Sequence, residues 1–162
     1  MKTQTQIDQH QIEYLYQTNF VHQVDIIRDE HYRKVMQKNN AQGYDDLKVS
    51  FSAVLSNMSF EGSKLVDIAK RTNMTKQALG QIANEIEALG YVKRVPDAKD
   101  GRAKNLVFTN RGVQLISNSI TAVMEIEREF SDLIGIEKIS QLKAIINELA
   151  TAIEGRRYKD QQ

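Results

Sequence analysis

A helix with one polar face that runs directly into a basic hairpin constrains the fold more than any other feature of this sequence. Apolar residues recur every three or four positions across residues 75–89, which predicts a helix with one buried side. Gly90 follows, where a glycine commonly ends a helix in a left-handed conformation. Residues 91–108 predict two short strands around a loop of turn-forming residues that begins at Pro96. The predicted buried side of the helix comprises Leu79, Ile82 and Ile86.

The other side of this helix carries side chains that can hydrogen-bond to the edges of base pairs. Glutamine and asparagine can bind adenine through two hydrogen bonds, and lysine can contact guanine or a phosphate. Such a face is also typical of any solvated helix, but a basic hairpin beside it favours duplex DNA, whose phosphates bind lysine and arginine. The predicted DNA-binding helix residues are Thr75, Lys76, Gln77, Gln81 and Asn84. The hairpin adds Arg94 and Arg102, and Lys93, Lys99 and Lys104 as predicted phosphate contacts.

Positive charge is concentrated around this join. Residues 61–112 contain ten basic and six acidic side chains, so this segment carries +4 in a chain whose formal net charge is +1. The remainder is therefore −3. A local basic region of this kind indicates a nucleic-acid-binding surface better than the net charge does.

The residues that the sequence lacks exclude several classes of protein. Without cysteine there are no disulfides, thiolate metal sites or thiol redox sensors. No stretch approaches the roughly 18 apolar residues of a membrane span, and the first residues lack the apolar run of a secretory signal, so we expect a cytoplasmic protein without a membrane partner. Phosphate-binding glycine loops, G-x-S-x-G and H-E-x-x-H motifs are missing, so we expect neither an enzyme nor a bound cofactor.

Helices are predicted for most of the remaining chain. Residues 6–39 lack glycine and proline and carry an apolar stripe, which predicts one long first helix. Asp45 or Asp46 would cap a second helix that ends near Met58. Ser63 would precede a third helix, and Thr75 would cap a fourth helix. Because the connection between these two helices is so short, the pair must form a helix-turn-helix. The buried side of the second helix would comprise Leu47, Phe51, Val54 and Leu55.

Two long helices are predicted after the hairpin. Thr109 would cap the first, and Gly135 would separate it from the second. Apolar residues in the last helix alternate at intervals of three and four, which is typical of a coiled-coil seam. The seam comprises Ile139, Leu142, Ile146, Leu149 and Ile153. The apolar side of the preceding helix includes Leu115, Ile116, Ile120, Val123, Ile126 and Phe130.

Five short segments in order and spacing resemble the MarR family of winged helix-turn-helix regulators. They are LVDIA at 65–69, TKQA at 75–78, EALGYV at 87–92, PDAKDGR at 96–102 and FTNRG at 108–112. The resemblance implies a mainly α fold with a small β-hairpin wing, a DNA-binding domain at 43–112 and dimerisation helices at 1–42 and 113–162. It also implies that Arg102, oriented by Asp100, reaches a minor groove.

The same resemblance implies a homodimeric transcriptional regulator, in particular a repressor that responds to a small-molecule effector and binds a pseudo-palindromic operator. Two copies of the 75–89 helix, about 34 Å apart, would enter successive major grooves. The chain departs from the family pattern at Ala98, where proline is frequent. Gly80 falls in the middle of the recognition helix, where it either lets the backbone approach DNA or is a tolerated weakness.

Other functions remain open at this point. His22, Asp25 and Asp29 are spaced so that they share a helix face, with His31 nearby, and such residues can hold a divalent metal, although solvated polar residues are commoner. A metal or small-molecule sensor is therefore one alternative. A winged-helix module whose basic wing binds an acidic protein is another. Candidate aromatic residues for an effector pocket are Tyr14, Tyr16, Phe20 and Tyr32, although aromatic residues at this spacing also form cores.

Overall fold

The computed structural model describes residues 8–72, 74–97 and 104–159. These divide into two compact units, one up to Ser119 and one from Ile120 onward. The architecture is mainly helical with one small antiparallel sheet, as predicted. Within the described ranges, no helix has the length and apolar character needed to cross a membrane.

The first helical region consists of two helices, α1 (Gln9–Thr18) and α2 (Phe20–Ala41), so the prediction of one long helix was wrong. Asn19 separates them in an extended conformation and serves as the cap of both. Its side-chain oxygen accepts from the backbone nitrogen of His22 at 2.9 Å, and its amide donates to the carbonyl of Tyr16 at 2.7 Å. An asparagine side chain can replace helical backbone hydrogen bonds in this way, which the apolar spacing does not reveal.

The next helix is shorter than predicted. A 3-10 turn, Val49–Phe51, follows Lys48 and continues into α3 (Ser52–Leu55), which ends before Met58. Neither Asp45 nor Asp46 caps it, because the first turn has no side-chain cap. Phe51, Val54 and Leu55 are buried as predicted, and Leu47 is partly buried.

The helix-turn-helix is formed by α4 (Leu65–Thr72) and α5 (Lys76–Ala88). Thr75 caps α5 as predicted, since its hydroxyl oxygen accepts from the backbone nitrogen of Ala78 at 3.2 Å. Ser63 precedes α4 as predicted, and it lies in a two-residue strand, β1 (Ser63–Lys64), that was not predicted.

The predicted hairpin is confirmed by β2 (Val92–Pro96) and β3 (Lys104–Phe108). The sheet order is β1-β3-β2, with Val92 opposite Phe108 and Ser63 opposite Leu106. Gly90 has φ +77°, the left-handed conformation expected at the end of α5. The first unit packs around side chains from all of these elements, including Phe51, Val54, Ile68, Leu79, Ile86, Tyr91 and Leu106.

The last two helices are α6 (Asn110–Ile134) and α7 (Ile136–Lys159), separated by Gly135 at φ +94°. Thr109 caps α6, because the backbone nitrogen of Gly112 donates to its hydroxyl at 3.1 Å. Leu115 and Ile126 are buried, but Ile120 on the predicted apolar side of α6 is 55% exposed. The seam of α7 is buried only at Ile139, and three of its members are between 44% and 49% exposed, namely Ile146, Leu149 and Ile153.

Candidate nucleic-acid interface

Helix α5 has one buried and one exposed face, as its sequence predicts. Leu79, Ala83 and Ile86 have no exposed surface, and Ile82 is partly buried against the same core. The opposite face carries the four predicted polar side chains, which are all exposed. They are Lys76, Gln77, Gln81 and Asn84.

Asn84 is held in one orientation by β2. Arg94 donates from Nη2 to Oδ1 of Asn84 at 2.7 Å. A guanidinium has no acceptor, so the oxygen of the Asn84 amide must face Arg94. Glu87 in turn anchors Arg94, since it accepts from the Arg94 backbone nitrogen at 2.8 Å and forms an ion pair with its guanidinium.

This arrangement also changes the interpretation of Arg94, which sequence reasoning treated as one of several basic residues of the hairpin. Its side chain is only 22% exposed and its charge is paired with Glu87. Arg94 therefore positions Asn84 on α5 and adds little positive potential to the hairpin. Nothing in the spacing of residues 84, 87 and 94 indicated this network, because the three are brought together by the turn at Gly90.

The two predicted phosphate-binding lysines that the structure describes in the hairpin, Lys93 and Lys104, do not lie on the same face. Lys93 and Lys104 are both exposed. Lys93 lies opposite Val107 and Lys104 lies opposite Pro96, and since successive strand residues alternate between faces, the two lysines are on opposite faces of the hairpin. Lys99, Asp100 and Arg102 lie outside the described residues.

A three-residue cluster that sequence reasoning missed supports the base of the hairpin. Tyr91 donates its hydroxyl to the carboxylate of Asp46. Arg111 donates from Nη2 to Asp46 Oδ2 at 3.0 Å and to the Tyr91 hydroxyl at 3.1 Å, and its guanidinium lies 4.7 Å from the centre of the Tyr91 ring. Burial and the hydrogen bond to Asp46 raise the pKa of Tyr91. Asp46, the predicted cap of a helix, therefore connects the start of α6 to the end of α5.

The first turn of α6 approaches the same corner very closely. Thr109 donates its backbone nitrogen to the carbonyl of Tyr91 at 3.0 Å and its hydroxyl to the carbonyl of Gly90 at 2.5 Å. A Cβ atom at Gly112 would lie 2.0 Å from the Tyr91 carbonyl oxygen. The FTNRG segment thus contains a threonine that binds this corner and a glycine without which the two backbones could not meet.

The residues considered for a metal or an effector have other surroundings. Asp25 and Asp29 both pair with Arg28, at 2.7 and 3.1 Å. The part of the chain that the structure describes contains no group of three or more histidine, aspartate and glutamate side chains that could hold a metal. Tyr14, Tyr16 and Phe20 are between 65% and 72% exposed, and the Tyr16 ring lies 5.9 Å from that of His22.

A family model described as the MarR family matches residues 47–103, which span the helix-turn-helix and the first strand of the hairpin. This segment of the chain is therefore similar to the MarR family. No curated protein matches the sequence significantly.

Solved structures of MarR and MepR share the fold of this chain. Apo MarR from E. coli has a TM-score of 0.64 at 14% identity, covering 80% of this chain and 96% of that one. A point mutant of S. aureus MepR, bound to an oligodeoxyribonucleotide, has a TM-score of 0.56 at 22% identity, covering 83% and 98%. S. aureus MepR bound to ethidium bromide has a TM-score of 0.55 at 21% identity, covering 85% and 99%. Together they identify a winged helix-turn-helix.

Proposed function

We propose that this protein is a DNA-binding transcriptional regulator that inserts the exposed face of α5 into the major groove of its operator. The observation that carries this proposal is the division of α5 into a fully buried face and a face of four exposed polar side chains. A helix fits the major groove, and amide and lysine side chains are the types that read base edges there. The oligonucleotide bound to MepR, a protein of the same fold, supports the same use of the fold.

Each predicted residue has a role in this proposal. Gln77, Gln81 and Asn84 read base edges, Lys76 contacts guanine or a phosphate, and Thr75 holds the start of α5 against the DNA backbone. Lys93 and Lys104 contact phosphates from opposite faces of the hairpin. Lys99, Asp100 and Arg102, which lie between the two strands in the sequence, would contact an adjacent minor groove, where arginine is favoured when the groove is narrow.

The proposal includes a homodimer, because helices in both units have exposed apolar side chains. In α1 and α2, Leu15, Phe20 and Val21 are between 52% and 65% exposed. In α7, Ile145 is 63% exposed beside the uncovered seam. A second copy would remove such surface from water, with residues 1–42 and 113–162 as dimerisation segments and 43–112 as the DNA-binding domain. An effector that favours another dimer geometry would release a repressor of this kind, and the ethidium bound to MepR supports a small-molecule ligand.

Selection of bound sequences from a random duplex pool tests the function. We expect a palindrome with half-sites one helical turn apart, an affinity that falls steeply with salt, and a dimeric mass in solution. Gln81→Ala should change the selected sequence at symmetric positions, whereas Gln37→Ala, an exposed glutamine of α2, should not. Binding without preference among sequences would contradict the proposal, and tight binding of an acidic protein instead would favour an interaction module.

A further inference from the structure

Gly80 lies within α5, and the protein interior gives no reason for a glycine at this position. It is not one of the glycines in the left-handed conformation. A Cβ atom built on Gly80 would meet no other atom within 4 Å. Gly62 is different, because a Cβ there would lie 3.0 Å from a side-chain carbon of Val107. Alanine at position 80 would therefore fit the fold, and since alanine favours helices more than glycine, it would stabilise α5.

Gly80 is half-buried and lies beside the exposed polar side chains of α5. It follows Gln77 by three residues and precedes Asn84 by four, so all three lie on the same side of the helix. The missing side chain leaves a notch between longer side chains, with the helix backbone at its floor. Asn84, four residues further along the helix, lies beside this notch, and its side-chain oxygen accepts from Arg94 at 2.7 Å.

We propose that Gly80 is a specificity-determining residue, whose notch admits the methyl group of a thymine at the floor of the major groove. This proposal rests on the proposed binding of α5 to duplex DNA. Thymine is the base that presents a methyl group in the major groove. The side chain of alanine is itself a methyl group. Gly80→Ala would therefore place the alanine methyl in the space that the thymine methyl must occupy.

The experiment compares full-length wild-type protein with Gly80→Ala and with a matched control, Gly155→Ala. Gly155 lies in α7, where a Cβ atom also meets nothing within 4 Å. Both variants should shift the folding equilibrium toward the native state about fivefold, which is ~1 kcal/mol, in urea unfolding at fixed protein concentration. Gly80→Ala should weaken binding to the selected operator about tenfold or more while leaving non-specific binding unchanged. Gly155 lies in the proposed dimerisation segment, so Gly155→Ala is the control for the unfolding measurement alone.

Replacing each operator thymine in turn by deoxyuridine removes only the methyl group and identifies its position. At one symmetric pair of positions, the substitution should restore binding of Gly80→Ala to within about threefold of the wild type on the same duplex. Unchanged operator affinity of Gly80→Ala, an equal loss on all sequences, or a loss that no deoxyuridine restores would each overturn the proposal. Lack of any sequence preference in the wild type would refute the proposed function itself, independently of the variants.

Discussion

Gly112→Ala should destabilise the protein strongly, although it adds only one methyl group. The new Cβ atom would lie 2.0 Å from the carbonyl oxygen of Tyr91 and 3.2 Å from a ring carbon of Phe108. Ordinary contacts between carbon and oxygen require more than about 3 Å, so the start of α6 and the corner after α5 would have to separate by about 1 Å or more. That separation would break the hydrogen bond of 3.0 Å between the Thr109 nitrogen and the Tyr91 carbonyl.

The size of the effect follows from two contributions. Forcing a methyl group into a packed contact typically destabilises by about 1–3 kcal/mol, and leaving a buried carbonyl without a partner by a further ~1–3 kcal/mol. The expected loss is therefore about 2–6 kcal/mol, from a total stability on the order of 5–15 kcal/mol for a typical domain.

Urea unfolding followed by circular dichroism, at one fixed protein concentration, measures this loss. Gly155→Ala is the matched control, because alanine there meets open space and should stabilise the helix. If Gly112→Ala reduced the free energy of unfolding by less than about 0.5 kcal/mol, the two backbones could move apart freely, and the argument for a rigid support beneath the hairpin would be wrong.

Three further predictions concern the support of α5. Folding raises the pKa of Tyr91, so the neutral side chain stabilises the fold fully below its usual pKa of 10.0, and this stability is lost as the pH rises through the folded-state pKa. Tyr91→Phe should therefore lose less stability above pH 10 than the wild type does. Equal slopes of stability against pH in the alkaline range would contradict this prediction. Arg94→Met should release the Asn84 amide and broaden the selected operator at one symmetric position, and an unchanged selection would exclude a positioning role. Thr75→Ala should destabilise by about 1 kcal/mol in thermal unfolding while Thr75→Ser retains the cap, and similar losses in both would show that the hydroxyl is not what matters.

The features predicted correctly from the sequence depend on residues that are close together along the chain. The two faces of α5 follow from a repeat of three and four residues, and the cap at Thr75 binds a nitrogen three residues away. Gly90 and Gly135 end helices in the left-handed conformation, which only glycine adopts without strain. The hairpin followed from turn-forming residues between two short segments. These local rules were enough to identify the helix-turn-helix and its wing.

Predictions from local patterns were wrong or incomplete at two places in the chain. Asn19 occurs in a segment whose apolar spacing suits a continuous helix, yet its side chain replaces backbone hydrogen bonds on both sides and divides it. Strand β1 has only two residues, Ser63 and Lys64, and no periodic pattern can identify so short an element. It exists because β3 offers it an edge to pair with.

The local sequence is sufficient to predict which helix presents polar side chains and where that helix begins and ends. Tertiary structure alone decided what holds those side chains in place, because the partners are distant along the chain. Arg111 reaches Asp46 across 65 positions, and Arg94 reaches Asn84 across 10. The distinction between Gly80 and Gly112 has the same origin: a side chain meets open space at one and a backbone carbonyl at the other, and only the folding of α6 against the end of α5 creates that difference.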